Sequence, residues 1–254
     1  MKPYQIIPIA DCGEPLAEIS QSFFIQAPHA YQALGAPYGN KSPFYLRTGV
    51  RDRLQAAQNF LQTMRAGWQI KVFDAYRPIP VQRFMVEHTL CELAKAQGLD
   101  RQHLSAQQEQ ELMAQVLQFW AIPSDDPNTP PPHSTGAAVD ITLVDRDRQE
   151  INMGSAIDEI SDRSFPNYFE TATSAEARSF HAYRELLLQI MAAHGFQRHP
   201  NEWWHFSYGD QMWAWLNLKE LGQAKAIAKY GDANRIFCDS RPILEPIPEI
   251  LIEK

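Results

Sequence analysis

The stretch Pro131-Pro132-His133-Ser134-Thr135-Gly136-Ala137-Ala138-Val139-Asp140-Ile141-Thr142-Leu143-Val144 turns a proline-rich loop into a run of small and β-branched residues. Ala137 to Val144 reads as a buried strand, because β-branched side chains suit a pleated, enclosed surface. Asp140 lies between Val139 and Ile141, where an ionised carboxylate is costly unless it is paired or holds a metal. Upstream, Pro123, Pro127, Pro130, Pro131 and Pro132 can neither continue a helix nor pair in a central sheet, so a stiff loop delivers His133 to the strand. Downstream, Asp145-Arg146-Asp147-Arg148 reads as a polar turn into a partner strand around Glu150 to Asn152.

Working outward, Leu54, Ala57, Leu61 and Met64 recur at three- and four-residue steps between Gly49 and Gly67, the stripe of a core-facing helix. Gln69 to Tyr76 alternates as a short strand, and Asp74-Ala75-Tyr76-Arg77-Pro78 follows at its end, which leaves Arg77 at a strand mouth. Pro78 and Pro80 suit the first turn of a helix that runs on to Gly98. Ser105 to Trp120 reads as another helix, with a solvated face. Thr173-Ser174-Ala175-Glu176 has the form of a capping box before a helix that closes at Gly195. Phe196 to Tyr208 is aromatic and extended, and Met212, Trp213, Trp215 and Leu216 predict a packing helix beyond it. This irregular alternation favours an α+β fold with a central antiparallel sheet flanked by helices. With no linker to cut at, residues 1–254 read as a single domain, and 209–254 as a C-terminal extension packed on it.

Composition narrows the partners. The 254 residues are 44% apolar and 21% charged, the profile of a soluble globular chain. Lys and Arg number 23 against 30 Asp and Glu, a net charge of −7 that argues against nucleic acid or an anionic lipid surface as a partner. Pro8 and Asp11 break the short apolar run after Met1, and no segment approaches about 18 consecutive apolar residues, so neither a secretory signal nor a membrane span is expected. Cys12, Cys91 and Cys238 are odd in number and far apart, which reads as reduced thiols in the cytoplasm.

Two histidines stand beside carboxylates at strand or loop ends. His133 precedes Asp140 by seven residues, and His205 follows Glu202 in Asn201-Glu202-Trp203-Trp204-His205-Phe206. Two neutral imidazoles and one carboxylate form a known tripod for catalytic zinc, with a further position kept for water. Glu202 is then spare, and a carboxylate beside a metal but not bound to it can take a proton from water and return it to a leaving amine. The competing reading makes His205 a packed core residue in an aromatic stretch and His133 a surface loop residue. A strictly pleated strand would also turn Glu202 and His205 to opposite faces, so a shared site requires Glu202 at an irregular strand start, just after Pro200 and Asn201.

At these residues the chain resembles the zinc D-alanyl-D-alanine dipeptidases, the group that includes the vancomycin-resistance dipeptidase. His133-x-x-Gly136-x-x-x-Asp140, Glu202-Trp203-Trp204-His205, Asp74-Ala75-Tyr76-Arg77-Pro78 and Met153-Gly154-Ser155-x-x-Asp158 match that family's motifs in order, from Asp74 to His205. The resemblance implies one zinc ion held by His133, Asp140 and His205, with Glu202 as general base and acid. It implies that Arg77 stabilises the oxyanion and that Asp158 pairs with the free ammonium of a small D,D-dipeptide, hydrolysed to two D-alanines. Tyr76 and Ser134 join the expected substrate-binding residues. The family pattern has serines before the first histidine, where Pro131 and Pro132 stand here; Ser134, Thr135 or a backbone N–H are the candidates for the substrate carboxylate.

The same tripod resembles the broader fold of D,D-carboxypeptidases, peptidoglycan endopeptidases and the hedgehog signalling domain. A carboxypeptidase or endopeptidase acting on peptidoglycan peptides is the rival expectation, and a non-catalytic zinc-bearing binding module is the second. Glu202 and Arg77 argue against the module, since a structural zinc site needs neither.

Overall fold

The computed structural model describes residues 2–19, 22–221 and 226–234, so Cys238 and the end of the proposed C-terminal extension lie outside the described residues. A 3-10 turn at Pro3–Ile6 leads into β1 (Leu16–Glu18), β2 (Phe24–Ile25), the one-turn α1 (Ala30–Ala33) and β3 (Tyr45–Arg47). Next come α2 (Thr48–Met64), β4 (Gln69–Asp74), α3 (Ile79–Ala96) and α4 (Ala106–Phe119). A 3-10 turn at Pro132–Thr135 precedes β5 (Ala138–Val144), and α5 (Ala175–Ala192), β6 (Gln197–Arg198), β7 (His205–Ser207) and α6 (Gln211–Leu221) complete the order.

Every residue of β5 is buried, as its apolar composition requires, and β5 is the middle strand of a sheet ordered β2-β4-β5-β7-β6. Pairing is antiparallel except at the β2 edge, which runs parallel to β4. A second, two-stranded sheet joins β1 to β3. Side chains alternate across a strand, so Val139, Ile141 and Leu143 face one way and meet Leu54 and Leu61 of α2 and Leu187 and Ile190 of α5 in the main core. Asp140 and Thr142 face the other way. A register shift between Val72 and Asp74 sets Asp74 opposite Asp140, and Asp140 is opposite His205, so three polar side chains stand abreast at one end of the sheet. Behind them α3 and α4 pack through Val81, Leu90, Leu112, Val116 and Trp120.

Two expectations are corrected in detail. Glu150 to Asn152 form no strand; Glu150 makes a single bridge to Val144, because the Asp145 side chain draws the Asp147 and Gln149 N–H groups into a tight turn and the chain then leaves the sheet. The capping box before α5 does not close, because Ser174 is the cap and its hydroxyl accepts from Ala177 N–H, one residue past Glu176. Among the described residues no helix is long and apolar enough to cross a membrane.

Candidate active site

His133 owes its position to the turn that carries it. Pro131 and Pro132 start the 3-10 turn, and Gly136 ends it at φ 71°, a left-handed conformation that L side chains rarely adopt. His133 Nδ1 lies 2.7 Å from the Ala75 carbonyl, which can only accept, so Nδ1 carries the proton and Nε2 presents a lone pair. That lone pair lies 3.1 Å from His205 Nδ1 and 3.2 Å from Asp140 Oδ2. His205 Nδ1 is 3.0 Å from Asp140 Oδ1, and its other nitrogen is 3.3 Å from Ser207 Oγ.

These three side chains are buried and bring ligand atoms within 4.8 Å of one another. Their separations of 3.0–3.2 Å approach the edge of roughly 3.3 Å that a tetrahedron of donors about 2.0 Å from zinc would have. Asp140 Oδ1, though near His205, accepts no well-directed hydrogen bond and is an orphaned buried acceptor. The His133 Nε2 lone pair, His205 Nδ1 and an orphaned carboxylate oxygen converging in a buried site fit a divalent cation. Burial opposes ionisation of Asp140, and a proton on the facing imidazoles outweighs it and holds the carboxyl below the usual range.

Glu202 lies in the turn that enters β7, at the irregular strand start the sequence requires. Its Oε2 is 3.7 Å from His205 Nδ1, and its Oε1 is 3.4 Å from His199 Nδ1. Burial first, then the negative fields of Asp140 and Asp158, push its carboxyl well above the ordinary glutamate value, and Lys2 pulls it partly back. His199 was not anticipated from the sequence. Its Nδ1 accepts from Asn201 N–H at 3.2 Å, and burial lowers its pKa well below the usual, so a neutral imidazole flanks Glu202.

Arg77 is buried between the rings of Tyr31 and Trp120, each 4.9 Å from its guanidinium carbon. Asp158 sits in a turn at φ 64°, and the Tyr31 hydroxyl donates to its Oδ2 at 2.7 Å. Burial, reinforced by Asp140, pushes Asp158 up to about 7. His133, Asp140, His205, Glu202, Arg77 and Asp158 all line one cavity. Two expected substrate-binding residues do not line it. The Ser134 hydroxyl donates to the Arg77 carbonyl at 2.7 Å, and the Tyr76 hydroxyl donates to Asn234 Oδ1 at 2.8 Å, so both turn into the protein body. Beside His199, the cavity walls gain Lys2, Tyr4 and Trp120, none of which the motifs announced.

Two imidazoles and one carboxylate around a single point, with a further buried carboxyl beside them, define a metallopeptidase class of site. The sequence profile of the D-ala-D-ala dipeptidase peptidases matches residues 25–222, and the chain belongs to that family. It is 50% identical over 238 residues to a D-alanyl-D-alanine dipeptidase of Synechocystis sp., spanning 91% of this chain and 96% of that relative. A D-alanyl-D-alanine dipeptidase of Escherichia coli is 39% identical over 74 residues, 29% of this chain and 36% of that one. A solved vancomycin-resistance D,D-pentapeptidase in complex with Zn(II) superposes with a TM-score of 0.45 at 16% identity, over 92% of this chain and 98% of its own.

Proposed function

We propose that the protein hydrolyses D-alanyl-D-alanine to two D-alanines, with one zinc ion held by His133, Asp140 and His205. The observation that carries this reading is the convergence of those ligand atoms with Glu202 alongside and Asp158 in the same cavity. Zinc bound there would supply a Lewis acid for the scissile carbonyl and lower the pKa of a water molecule. Glu202, with Oε2 3.7 Å from the proposed ligand His205, would receive the proton of the attacking water and hand it to the leaving amine. The Arg77 guanidinium, charged at any working pH and lining the same cavity, would lower the cost of negative charge developing on the carbonyl oxygen in a buried site. Asp158 would accept the substrate ammonium, which gives the preference for an unblocked N-terminus. The free thiols Cys12 and Cys91 support a reducing compartment, and we assign the activity to the cytoplasm.

Zinc-loaded protein should cleave D-Ala-D-Ala and leave N-acetyl-D-Ala-D-Ala nearly untouched. Equal cleavage of the acylated compound would favour the carboxypeptidase reading. Glu202→Gln should keep about one zinc per chain while kcat falls about a thousandfold; metal analysis beside steady-state kinetics checks both, and full activity would remove Glu202 from the mechanism.

A further inference from the structure

A free dipeptide is a zwitterion, and the assignments above give a partner to its ammonium only. The hydroxyls nearest the tripod in sequence are already committed: Ser134 donates to the Arg77 carbonyl, and Thr135 donates to the Pro132 carbonyl at 2.6 Å. Arg77 is already assigned to the developing oxyanion and is otherwise held by the protein. It gives Nε and Nη2 to Asp74 at 2.9 and 2.7 Å and Nη1 to Gln82 at 2.9 Å. The other cation lining the cavity among the described residues is Lys2, whose Nζ donates to the Leu117 carbonyl at 2.6 Å and, as an ammonium, has further donors to offer.

Lys2 is held in place by its own segment. Tyr4 buries its ring against Met212 and Leu216 of α6, and Ile7 packs on Ala214 and Ala228. Gln211 Nε2 donates to the Ile7 carbonyl at 2.6 Å, while Ala10 N–H donates to Ala228 O and Ala228 N–H to Pro8 O. This strap lies outside the residues 25–222 that match the family profile, yet it puts a cation into the catalytic cavity. Lys2 and Asp158 both line this cavity, Lys2 held on the Leu117 carbonyl and Asp158 on the Tyr31 hydroxyl. Glu202 lies in the electrostatic field of both.

We propose that the Lys2 ammonium, carried by this N-terminal strap, binds the C-terminal carboxylate of the substrate and so restricts the enzyme to free dipeptides. The proposal rests on the dipeptidase reading and supplies the carboxylate donor that Pro131 and Pro132 cannot. A charge-assisted hydrogen bond kept from ground state to transition state lowers KM and leaves kcat alone.

The test compares D-Ala-D-Ala with D-Ala-D-alaninamide, which lacks the carboxylate, on zinc-loaded wild type, Lys2→Met and Lys2→Arg. Wild type should show a KM at least about tenfold lower for the acid than for the amide. Lys2→Met should raise KM for the acid about tenfold and leave KM for the amide unchanged, while any change in kcat through the field of Lys2 on Glu202 should be the same for both compounds. Lys2→Arg should retain most of the discrimination. Calorimetric titration of D-Ala-D-Ala into zinc-loaded Glu202→Gln, with and without Lys2→Met, should show the same weakening without turnover. Wild-type discrimination persisting in Lys2→Met, no discrimination in wild type, or a loss confined to kcat would each overturn the proposal alone. Wild type that cleaves neither compound would overturn the dipeptidase reading and this inference with it.

Discussion

The guanidinium of Arg77 is constrained on every side. Two of its nitrogens donate to Asp74 Oδ2, Nη1 donates to Gln82, and Nη2 also reaches the Tyr31 hydroxyl at 3.2 Å and Asp140 Oδ2 at 3.3 Å. Asp74, fully buried, is fixed in turn by His29 Nε2 at 2.9 Å and the Tyr38 hydroxyl at 3.2 Å. Burial opposes its ionisation, and Arg77, then His29, overcome that and hold its carboxyl below the usual value. Asp74 is therefore a positioning residue, acting through Arg77 rather than on substrate. In Asp74→Asn the shape survives but the buried cation loses its counter-charge. Stability should fall by about 3–5 kcal/mol in urea unfolding, and kcat should fall by at least about tenfold with zinc content unchanged. A variant as stable and as active as wild type would show that Arg77 needs no anchor.

At the scale of elements, the long periodic segments were legible and the short ones were not. α2, α3, α4 and β5 follow from apolar periodicity and from the prolines and glycines at their ends. β1, β2, β3 and α1 are two to four residues long, too short for a period to register, and their segment supplies His29, Tyr31 and Tyr38 to the site. His29 meets Asp74 across 45 residues of sequence, a contact made by tertiary packing alone. His133, Asp140, Glu202 and His205 were legible because each pair lies close along the chain, and their convergence then depends on β5 and β7 being neighbours. Tyr76 and Ser134, expected at the substrate, instead give their hydroxyls to Asn234 and to the Arg77 carbonyl, contacts that adjacency to a site residue along the chain does not reveal. The turn before β5 carries a prediction of its own. A Cβ on Gly136 would lie 2.3 Å from Leu16 Cδ2, and the residue sits at φ 71°. Gly136→Ala should lose about 1–2 kcal/mol in denaturant unfolding and weaken zinc binding, because the strain relaxes by moving His133. Unchanged zinc affinity in a competition titration would detach the turn from the metal site.

At the scale of the whole molecule, the three proposed ligands tie together parts of the chain that share no local structure: the turn at Pro132–Thr135, the central strand β5 and the late strand β7. Without a cation, His133 Nε2, His205 Nδ1 and the Asp140 carboxylate lie within 3.2 Å of one another, and the single proton that His205 Nδ1 can carry does not satisfy all of these acceptors. A divalent ion converts that unfavourable juxtaposition into bonds, and the unfolded chain, with the ligands dispersed, offers it no comparable site. The ion therefore stabilises the folded state by mass action, about 4 kcal/mol when free zinc is a thousand times its dissociation constant. In a chain of this length that corresponds to a rise in Tm on the order of 10 °C. Calorimetric scans in chelator and then in restored zinc should recover that shift reversibly. In His133→Ala the shift should vanish, and Tm should be nearly the same with and without zinc. A shift of the same size in His133→Ala would mean that the stabilising ion binds elsewhere on the molecule, because removing one of three donors leaves too few to compete with water at this site.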